Sequence, residues 1–175
     1  MLTEPSLCVA GRRLTCRPAT AADTALLREV YAATRAEELA PLPWPAAAKQ
    51  AFLDQQAAAQ DHSYRHNYPG ADFLVILVDA TPAGRLYLHA RPTEIRIMDI
   101  ALLPAFRGLG FGSALLRRIQ ELGTVSGRAV SIHVETFNPA RRLYERLGFR
   151  PAGQTEVYLL LEWLPSVKAP PPPAP

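Results

Sequence analysis

Three glycines alternate along a short segment of the chain, at the point where an apolar helix pattern begins. They are Gly108, Gly110 and Gly112, and Ser113 follows them. The start of a helix presents unpaired N–H groups and partial positive charge, and glycine lets an anion approach these groups closely. Arg107 adds positive charge immediately before the first glycine. The segment therefore predicts a site for a phosphate or pyrophosphate group.

Two common phosphate-binding motifs do not fit this segment. A P-loop has a lysine and then serine or threonine after its last glycine, whereas Ser113 and Ala114 follow Gly112. Dinucleotide-binding loops have the spacing GxGxxG early in a βαβ unit, with an acidic residue about twenty positions later. Here the spacing is GxGxG, and the segment lies late in the chain.

The glycine segment resembles the coenzyme A loop of the GNAT superfamily, which has the pattern Arg-x-x-Gly-x-Gly with a proline three residues before the arginine. Residues 104–112 (PAFRGLGFG) match this pattern. A second segment, residues 138–149 (NPARRLYERLGF), is similar to the family's asparagine, helix and LYExxGF sequence. This second segment lies one helix and one strand after the glycine segment, which is the distance expected for the family. The resemblance is strong over about residues 84–163 and weaker over 12–80.

The resemblance implies that acetyl-CoA lies in a V between the fourth and fifth strands, here Glu94 to Leu103 and Ala129 to Glu135. Main-chain groups of the fourth strand would pair with the pantetheine arm, and backbone N–H groups of the glycine loop would hold the pyrophosphate. Asn138 would reach the pantetheine, and Tyr144 would lie near the thioester sulfur. The implied coenzyme A contacts are Ile100, Ala101, Leu102, Arg107, Gly108, Leu109, Gly110, Phe111, Gly112, Ser113, Asn138 and Tyr144.

Acyl transfer to an amine needs a proton acceptor for the amine, an N–H donor for the tetrahedral oxyanion and a proton for the departing thiolate. The Tyr144 hydroxyl, with an ordinary pKa of about 10, is the predicted proton donor. Glu94 stands where some branches of the family keep a catalytic glutamate, and Asp99 is the alternative. Glu94 could equally be a solvated strand end, and Asp99 the structural partner of Arg85 or Arg96. Some family members use only ordered water.

The first two helices and the loops near them form the acceptor pocket in the family, and here the resemblance is weakest. Residues 62–68 mix aromatic and basic side chains, and we predict that they shape this pocket. The four histidines are scattered along the chain. Only His89 is a minor catalytic candidate, because its hairpin strand lies next to Glu94.

The hydrophobic patterns predict the elements that position these residues. Strands are predicted at 14–17, 73–78, 85–89, 94–103, 129–135 and 156–163, with a turn at 81–84. Helices are predicted from about 20–23 to 38, at 46–59, at 113–122 and from Asn138, as the N-cap, to Leu147. With the resemblance, this order gives an α/β GNAT fold. Its mixed, mostly antiparallel sheet has about six to seven strands, splayed between the fourth and fifth and flanked by about four helices.

The length of 175 residues fits one domain. Residues 12–165 are predicted to form it, after a leader at 1–11 and before a disordered Pro/Ala tail at 166–175. The net charge of +3 is too small to favour nucleic acid, and no apolar stretch is long enough for a membrane span. Cys8 and Cys16 are predicted to be reduced thiols with no metal site. We expect a cytoplasmic monomer or homodimer.

These observations together predict an acetyl-CoA-dependent N-acetyltransferase that acts on a primary amine of an unidentified small molecule or protein. The alternative is a module that senses acyl-CoA without turnover. The presence of both Tyr144 and a candidate carboxylate favours the enzyme.

Overall fold

Eight strands form one sheet in the computed structural model, which describes residues 6–165. In chain order they are β1 (Leu7–Val9), β2 (Arg12–Pro18), β3 (Asp72–Val78), β4 (Thr81–Ala90), β5 (Glu94–Leu102), β6 (Ala129–Glu135), β7 (Arg150–Gln154) and β8 (Tyr158–Trp163). Their order across the sheet is β1-β2-β3-β4-β5-β6-β8-β7. Only β5 and β6 pair in parallel. The predicted mixed, mostly antiparallel sheet is confirmed, with eight strands instead of six to seven.

Four α-helices flank the sheet, as predicted. They are α1 (Thr24–Leu39), α2 (Ala46–Asn67), α3 (Phe111–Ser126) and α4 (Arg141–Arg146). Within residues 6–165, none of the helices combines the length and apolar character needed to cross a membrane.

The two faces of the sheet have different characters. On β4, Leu86 and Leu88 turn into an apolar core that they share with α3. The alternate residues Arg85 and Tyr87 turn to the opposite face, because successive side chains of a strand point to opposite sides. There α1 covers them, with the Arg85 guanidinium 5.7 Å from the centre of the Tyr31 ring. The apolar face stabilises the fold, and the more polar face carries the cavities described below.

The strands β5 and β6 stay paired over a short distance only. Their register runs from Glu94 with Ala129 to Ile97 with Ile132. Beyond this point β5 continues beside β4 to Leu102, and β6 continues beside β8 to Glu135, so the two strands diverge. The predicted splay is confirmed. The strands predicted as the fourth and fifth are β5 and β6, because β1 was not predicted and raises each strand number by one.

Part of the predicted leader belongs to the sheet. Leu7–Val9 forms β1, which pairs antiparallel with β2 through a turn at Ala10 and Gly11, whose φ angles are 50° and 77°. Cys8 and Cys16 on these two strands are free thiols. Residues 1–5 and the predicted tail at 166–175 lie outside the described residues.

The hairpin between β3 and β4 turns earlier than predicted. Asp79 and Ala80 form the turn, with φ angles of 50° and 67°. A two-residue turn with both residues at positive φ matches the twist of the strands it joins. Asp79 also accepts a hydrogen bond of 2.8 Å from the backbone N–H of Arg13. The predicted turn at 81–84 is therefore wrong, and these residues begin β4.

Two helices are longer than predicted. The sequence places the end of α2 near residue 59, but the helix continues to Asn67, with Tyr64 packing edge-on against Tyr87. The helix α3 begins at Phe111 and passes through Gly123, where we expected it to stop. Close packing explains this glycine, because an added Cβ would lie 2.8 Å from the carbonyl oxygen of Arg128.

The segment after β6 also differs from the prediction. The N-cap of α4 is Ala140, not Asn138, and the Asn138 Oδ1 atom accepts a hydrogen bond of 2.9 Å from the N–H of Ala140. The strand β7 was not predicted, because Pro151 and Gly153 lie in it. An edge strand tolerates these residues, and β7 pairs with β8 alone.

The strand β4 passes very close to β5 at Gly84. A Cβ at this position would lie 2.1 Å from the carbonyl oxygen of Ala101. We expect Gly84→Ala to force the strands apart and to lower the free energy of unfolding by about 1–3 kcal/mol. Thermal melting should show a loss of about 2–4 °C per kcal/mol. In the control Gly153→Ala, the nearest atoms lie 3.8 Å from the new Cβ, so the melting temperature should hold. If Gly84→Ala and Gly153→Ala had the same melting temperature, the close approach of β4 to β5 at Gly84 would be contradicted.

Candidate functional site

The divergence of β5 and β6 opens a cavity of about 220 Å³, here called the V cavity. Three of its walls are β5, β6 and the start of α4, and the helices α1 and α2 cover it. The described lining residues are Tyr31, Thr34, Arg35, Gln60, Tyr64, Arg85, Met98, Asp99, Ile100, Ala101, Ile132, His133, Val134, Glu135, Asn138, Tyr144 and Tyr158. Five residues singled out in the sequence thus meet in one place: Asp99, Ile100, Ala101, Asn138 and Tyr144.

One edge of β5 faces the V cavity without a strand partner. Residues 100–102 pair with β4 on one side, and the pairing with β6 has already ended at Ile97. The register with β4 also shifts at Met98, which forms a bulge. Backbone N–H and C=O groups are strong hydrogen-bonding groups, and an unpaired strand edge presents them in a row. This wall can therefore bind an extended ligand through main-chain hydrogen bonds.

Tyr144 reaches the V cavity from α4 and is 4% exposed. Its ring packs edge-on against Phe149, with 5.7 Å between the ring centres. Burial, and to a smaller extent the negative charge of Asp99, raises the pKa of the Tyr144 hydroxyl. The expectation of an ordinary pKa is therefore wrong. The hydroxyl keeps its proton at neutral pH and is a weaker acid than the sequence suggests.

Asp99 is bound to an arginine. Its Oδ2 atom accepts a hydrogen bond of 2.6 Å from Nη2 of Arg85, a side chain that is 6% exposed. The same nitrogen of Arg85 donates to Gln60 at 2.9 Å, and the guanidinium lies near the rings of Tyr31 and Tyr87. The sequence left Arg85 and Arg96 as possible structural partners of Asp99, and in the structure the partner is Arg85.

Glu94 lies at the closed end of the V, and it is not among the described residues that line the cavity. Its carboxylate accepts hydrogen bonds of 2.5 Å from Ser131 and 2.8 Å from Arg91. Burial acts to raise its pKa, but the Ser131 hydrogen bond and the charges of Arg96 and Arg91 outweigh burial and lower it. The structure therefore does not bring Glu94 together with Tyr144. His89, the minor candidate, is not a lining residue either.

Two titratable residues of β6, His133 and Glu135, line the V cavity but were not predicted as site residues. The carboxylate of Glu135 accepts a hydrogen bond of 3.1 Å from Arg35. His133 also lines a shallow groove next to the cavity, together with Tyr64, Tyr68 and Tyr158. Burial and the charge of Arg96 lower the His133 pKa below its ordinary 6.5, against a smaller opposing effect of Glu94.

A signal for these residues was present in the sequence. The residues Ser131, His133 and Glu135 alternate with apolar ones in β6, so all three lie on one face of the strand. The apolar residues of β6 belong to the core, so the alternation predicts that the polar side chains lie on the opposite face of the sheet.

The glycine loop leads into α3, as predicted. Gly108 and Gly110 have φ angles of 73° and 87°, and Gly110 is the N-cap of the helix. The first N–H groups of a helix have no partner within it. Gly112 has no positive φ, and an added Cβ would meet only Leu143, at 3.8 Å. Neither conformation nor packing requires glycine at 112, which fits a site where a ligand approaches the backbone.

Arg107 holds the glycine loop in place. Its Nε atom donates to the carbonyl oxygen of Leu102 at 2.8 Å, and Nη2 donates to that of Ala33 at 3.0 Å. These bonds join the loop to β5 and α1. Within residues 6–165, no group of three or more His, Cys, Asp or Glu side chains is placed to hold a metal ion.

Comparison with known proteins places this geometry in a family. The model of the Acetyltransferase (GNAT) family matches residues 31–149. N-alpha-acetyltransferase RimI of Mycobacterium tuberculosis is 33% identical over 117 residues, which cover 66% of this chain and 67% of that protein. A Bacillus subtilis relative is 34% identical over 92 residues, and the match spans 51% of this chain but only 61% of the relative.

A solved structure has the same fold. The PaiA N-acetyltransferase of Thermoplasma acidophilum, in complex with coenzyme A, superposes with a TM-score of 0.66. The match covers 86% of this chain and 98% of that one, at 15% sequence identity.

Proposed function

The chain belongs to the GNAT acetyltransferase family, and from this premise we propose that it transfers the acetyl group of acetyl-CoA to a primary amine. The V between β5 and β6 is the observation that carries the proposal. The free edge of β5 and Tyr144 line its cavity, and the glycine-rich start of α3 lies beside α4, where Gly112 is next to Leu143. Neither the family nor the relatives support the alternative of a sensor without turnover.

The residues present suit acetyl-CoA. Backbone N–H groups of residues 109–113 would hold the pyrophosphate, because they lie at the helix start. Residues 100–102 would pair with the amides of the pantetheine arm through their free edge. The side-chain amide nitrogen of Asn138 donates to no described residue, so it can serve the same arm. The PaiA structure, which contains coenzyme A, supports this cosubstrate.

The proposed reaction forms a C–N bond and breaks the C–S bond of the thioester. The neutral amine attacks the carbonyl carbon, and a free backbone N–H of β5 stabilises the oxyanion. The amine gives up a proton to a base, and the departing thiolate takes one from the Tyr144 hydroxyl. No metal is needed for these steps.

The base in this proposal is His133. Among the titratable groups of the V cavity, Asp99 and Glu135 are paired with Arg85 and Arg35. His133 forms no side-chain hydrogen bond with any described residue, and its lowered pKa keeps the ring neutral and able to accept a proton at pH 7. It also lies where the groove meets the cavity. The sequence suggested Glu94 and Asp99 as bases. In this proposal Asp99 holds Arg85 in place, and Glu94 holds Ser131 and Arg91.

We propose that the acceptor amine enters along the groove beside His133. Tyr64, Tyr68 and Tyr158 line this groove, and Tyr64 donates a hydrogen bond of 3.3 Å to the carbonyl oxygen of Met98. The placement supports a role of residues 62–68 in acceptor binding. The Mycobacterium relative is named an N-alpha-acetyltransferase, which favours an N-terminal α-amine over a small molecule.

Release of free coenzyme A from acetyl-CoA tests the proposal directly. The acceptors are peptides with a free N-terminus, the same peptides with a blocked N-terminus, and a set of small amines. Release with unblocked peptides only would establish the α-amine. No release with any acceptor would contradict acetyl transfer.

The pyrophosphate site predicts the behaviour of Gly112→Asp. A carboxylate would repel the pyrophosphate, so the Kd for coenzyme A in a calorimetric titration should rise at least about tenfold. The melting temperature without ligand should not fall, because an aspartate near a helix N-terminus is favourable. The control is Ala46→Asp, the same charge at the start of α2, which should bind coenzyme A normally. An unchanged Kd for Gly112→Asp would show that this loop does not hold the pyrophosphate.

The role of Tyr144 predicts a selective loss in Tyr144→Phe. The variant keeps the ring and its packing but has no proton to give, so the single-turnover rate should fall by about a hundredfold or more. Coenzyme A affinity and melting temperature should stay the same. Tyr87→Phe removes a hydroxyl from a buried ring outside the V cavity and should retain the parent rate. A rate within about twofold of the parent would leave Tyr144 as a packing residue only.

The role of His133 predicts a pH effect. Because its pKa lies below 6.5, kcat/KM, expressed per concentration of the neutral acceptor amine, should rise as pH increases through that lowered value and then level off. In His133→Gln, kcat/KM should fall and this acidic limb should disappear. His89→Gln, at a position that lines neither the V cavity nor the groove among the described residues, should keep the profile. An acidic limb that persists in His133→Gln would assign the base to another group.

A further inference from the structure

A second cavity, larger than the first, lies on the same face of the sheet. It measures about 550 Å³ and is enclosed by α1, α2 and β4, and we call it the helix cavity. This volume falls in the range of about 300–1,000 Å³ that is typical of small-molecule sites. Arg85 and Gln60 line both cavities and therefore separate them. The proposed acetyl transfer makes no use of this space.

Arginines determine the charge of the helix cavity. Arg28 lines it from α1, Arg65 from α2 and Arg85 from β4, whereas Asp61 is the one carboxylate among its described lining residues. Asp61 binds Nε of Arg65 at 2.9 Å. Arg28 is exposed and forms no ion pair or side-chain hydrogen bond with any described residue. Because Arg65 is paired with Asp61 and Arg85 with Asp99, the excess positive charge of the lining comes from Arg28.

Arg85 provides a buried hydrogen-bond donor at the boundary of the two cavities. The residue is 5% exposed, and its Nη2 atom is bound to Gln60 and Asp99. Its Nε atom is buried and has no hydrogen-bond partner among the described residues. A guanidinium group matches a carboxylate in geometry and charge better than it matches a neutral oxygen.

We propose that the helix cavity binds a small aliphatic dicarboxylate. One carboxylate would pair with Arg28 and Arg65, and the other would face Arg85, whose Nε atom has no partner among the described residues. The hydrocarbon part would lie against the apolar lining residues Ala19, Leu27 and Ala57. The proposed site requires neither coenzyme A nor the acceptor amine, although it shares Arg85 and Gln60 with the V cavity.

Calorimetric titration of the full-length chain tests the site. The probes are succinate, glutarate and adipate, each compared with its uncharged diamide, in the absence and presence of saturating coenzyme A. We expect at least one dicarboxylate to bind at least tenfold more tightly than its diamide, with coenzyme A present or absent. Equal binding or no binding of all three pairs would overturn the proposal. Loss of dicarboxylate binding on addition of coenzyme A would also overturn it, because the anion would then occupy the pyrophosphate site.

Two variants locate the bound carboxylate. Arg28→Glu reverses a charge at an exposed, unpaired position, so the fold should be retained, and dicarboxylate affinity should fall at least tenfold. Arg13→Glu makes the same change at an exposed position of β2 outside the cavity, and affinity should be retained. Equal affinity in Arg28→Glu and the parent, or an equal loss in both variants, would overturn this location. Melting temperatures of both variants verify that each is folded.

Discussion

The short pairing of β5 and β6 is the constraint on which the rest of the site depends. Four residue pairs join the strands from Glu94 to Ile97, and then each strand follows its other neighbour. A continuous ladder would have satisfied the peptide groups of residues 98–102 and left no space between the strands. By diverging, the strands create a cavity and free a strand edge in the same step. The glycine loop follows β5 in the chain and α4 follows β6, so both begin beyond the point where the two strands have diverged.

A buried ion pair lies on the helix-covered side of the opening. Arg85 and Asp99 are diagonal neighbours on β4 and β5, since Arg85 is opposite Ala101 and Asp99 is opposite Tyr87, and both side chains are largely removed from water. Losing either partner of such a pair leaves an uncompensated buried charge, which is strongly destabilising. Arg85 therefore needs Asp99 in place, and Asp99 is less available as a base than its position in the sequence suggests. The same arginine forms the wall between the V cavity and the helix cavity.

Local patterns predicted much of this architecture, and tertiary contacts explain most of the remainder. The glycine loop and the order of the elements along the chain follow from residues close in sequence, whereas the splay was predicted from the family resemblance. The late end of α2 could not be predicted, because Tyr64 is held by packing on Tyr87, a residue of a distant strand. The continuation of α3 through Gly123 could not be predicted either, because the need for a small residue arises only from the close approach of Arg128. Within the site, the sequence indicated Tyr144, and it indicated Asp99 with Arg85 as one of two candidate partners, but it did not indicate the burial of the Tyr144 hydroxyl.

Burial has two opposite consequences for proton transfer in the proposed reaction. It raises the pKa of Tyr144, so the hydroxyl is a poorer acid than a free tyrosine. A departing thiolate in the same cavity would also be withdrawn from water, and burial raises the pKa of a thiol as well. The proton donor and its acceptor therefore shift in the same direction, and the difference between them changes less than either value alone. A buried tyrosine that keeps its proton at neutral pH thus suits a buried leaving group, whereas it would not suit one released directly into solvent.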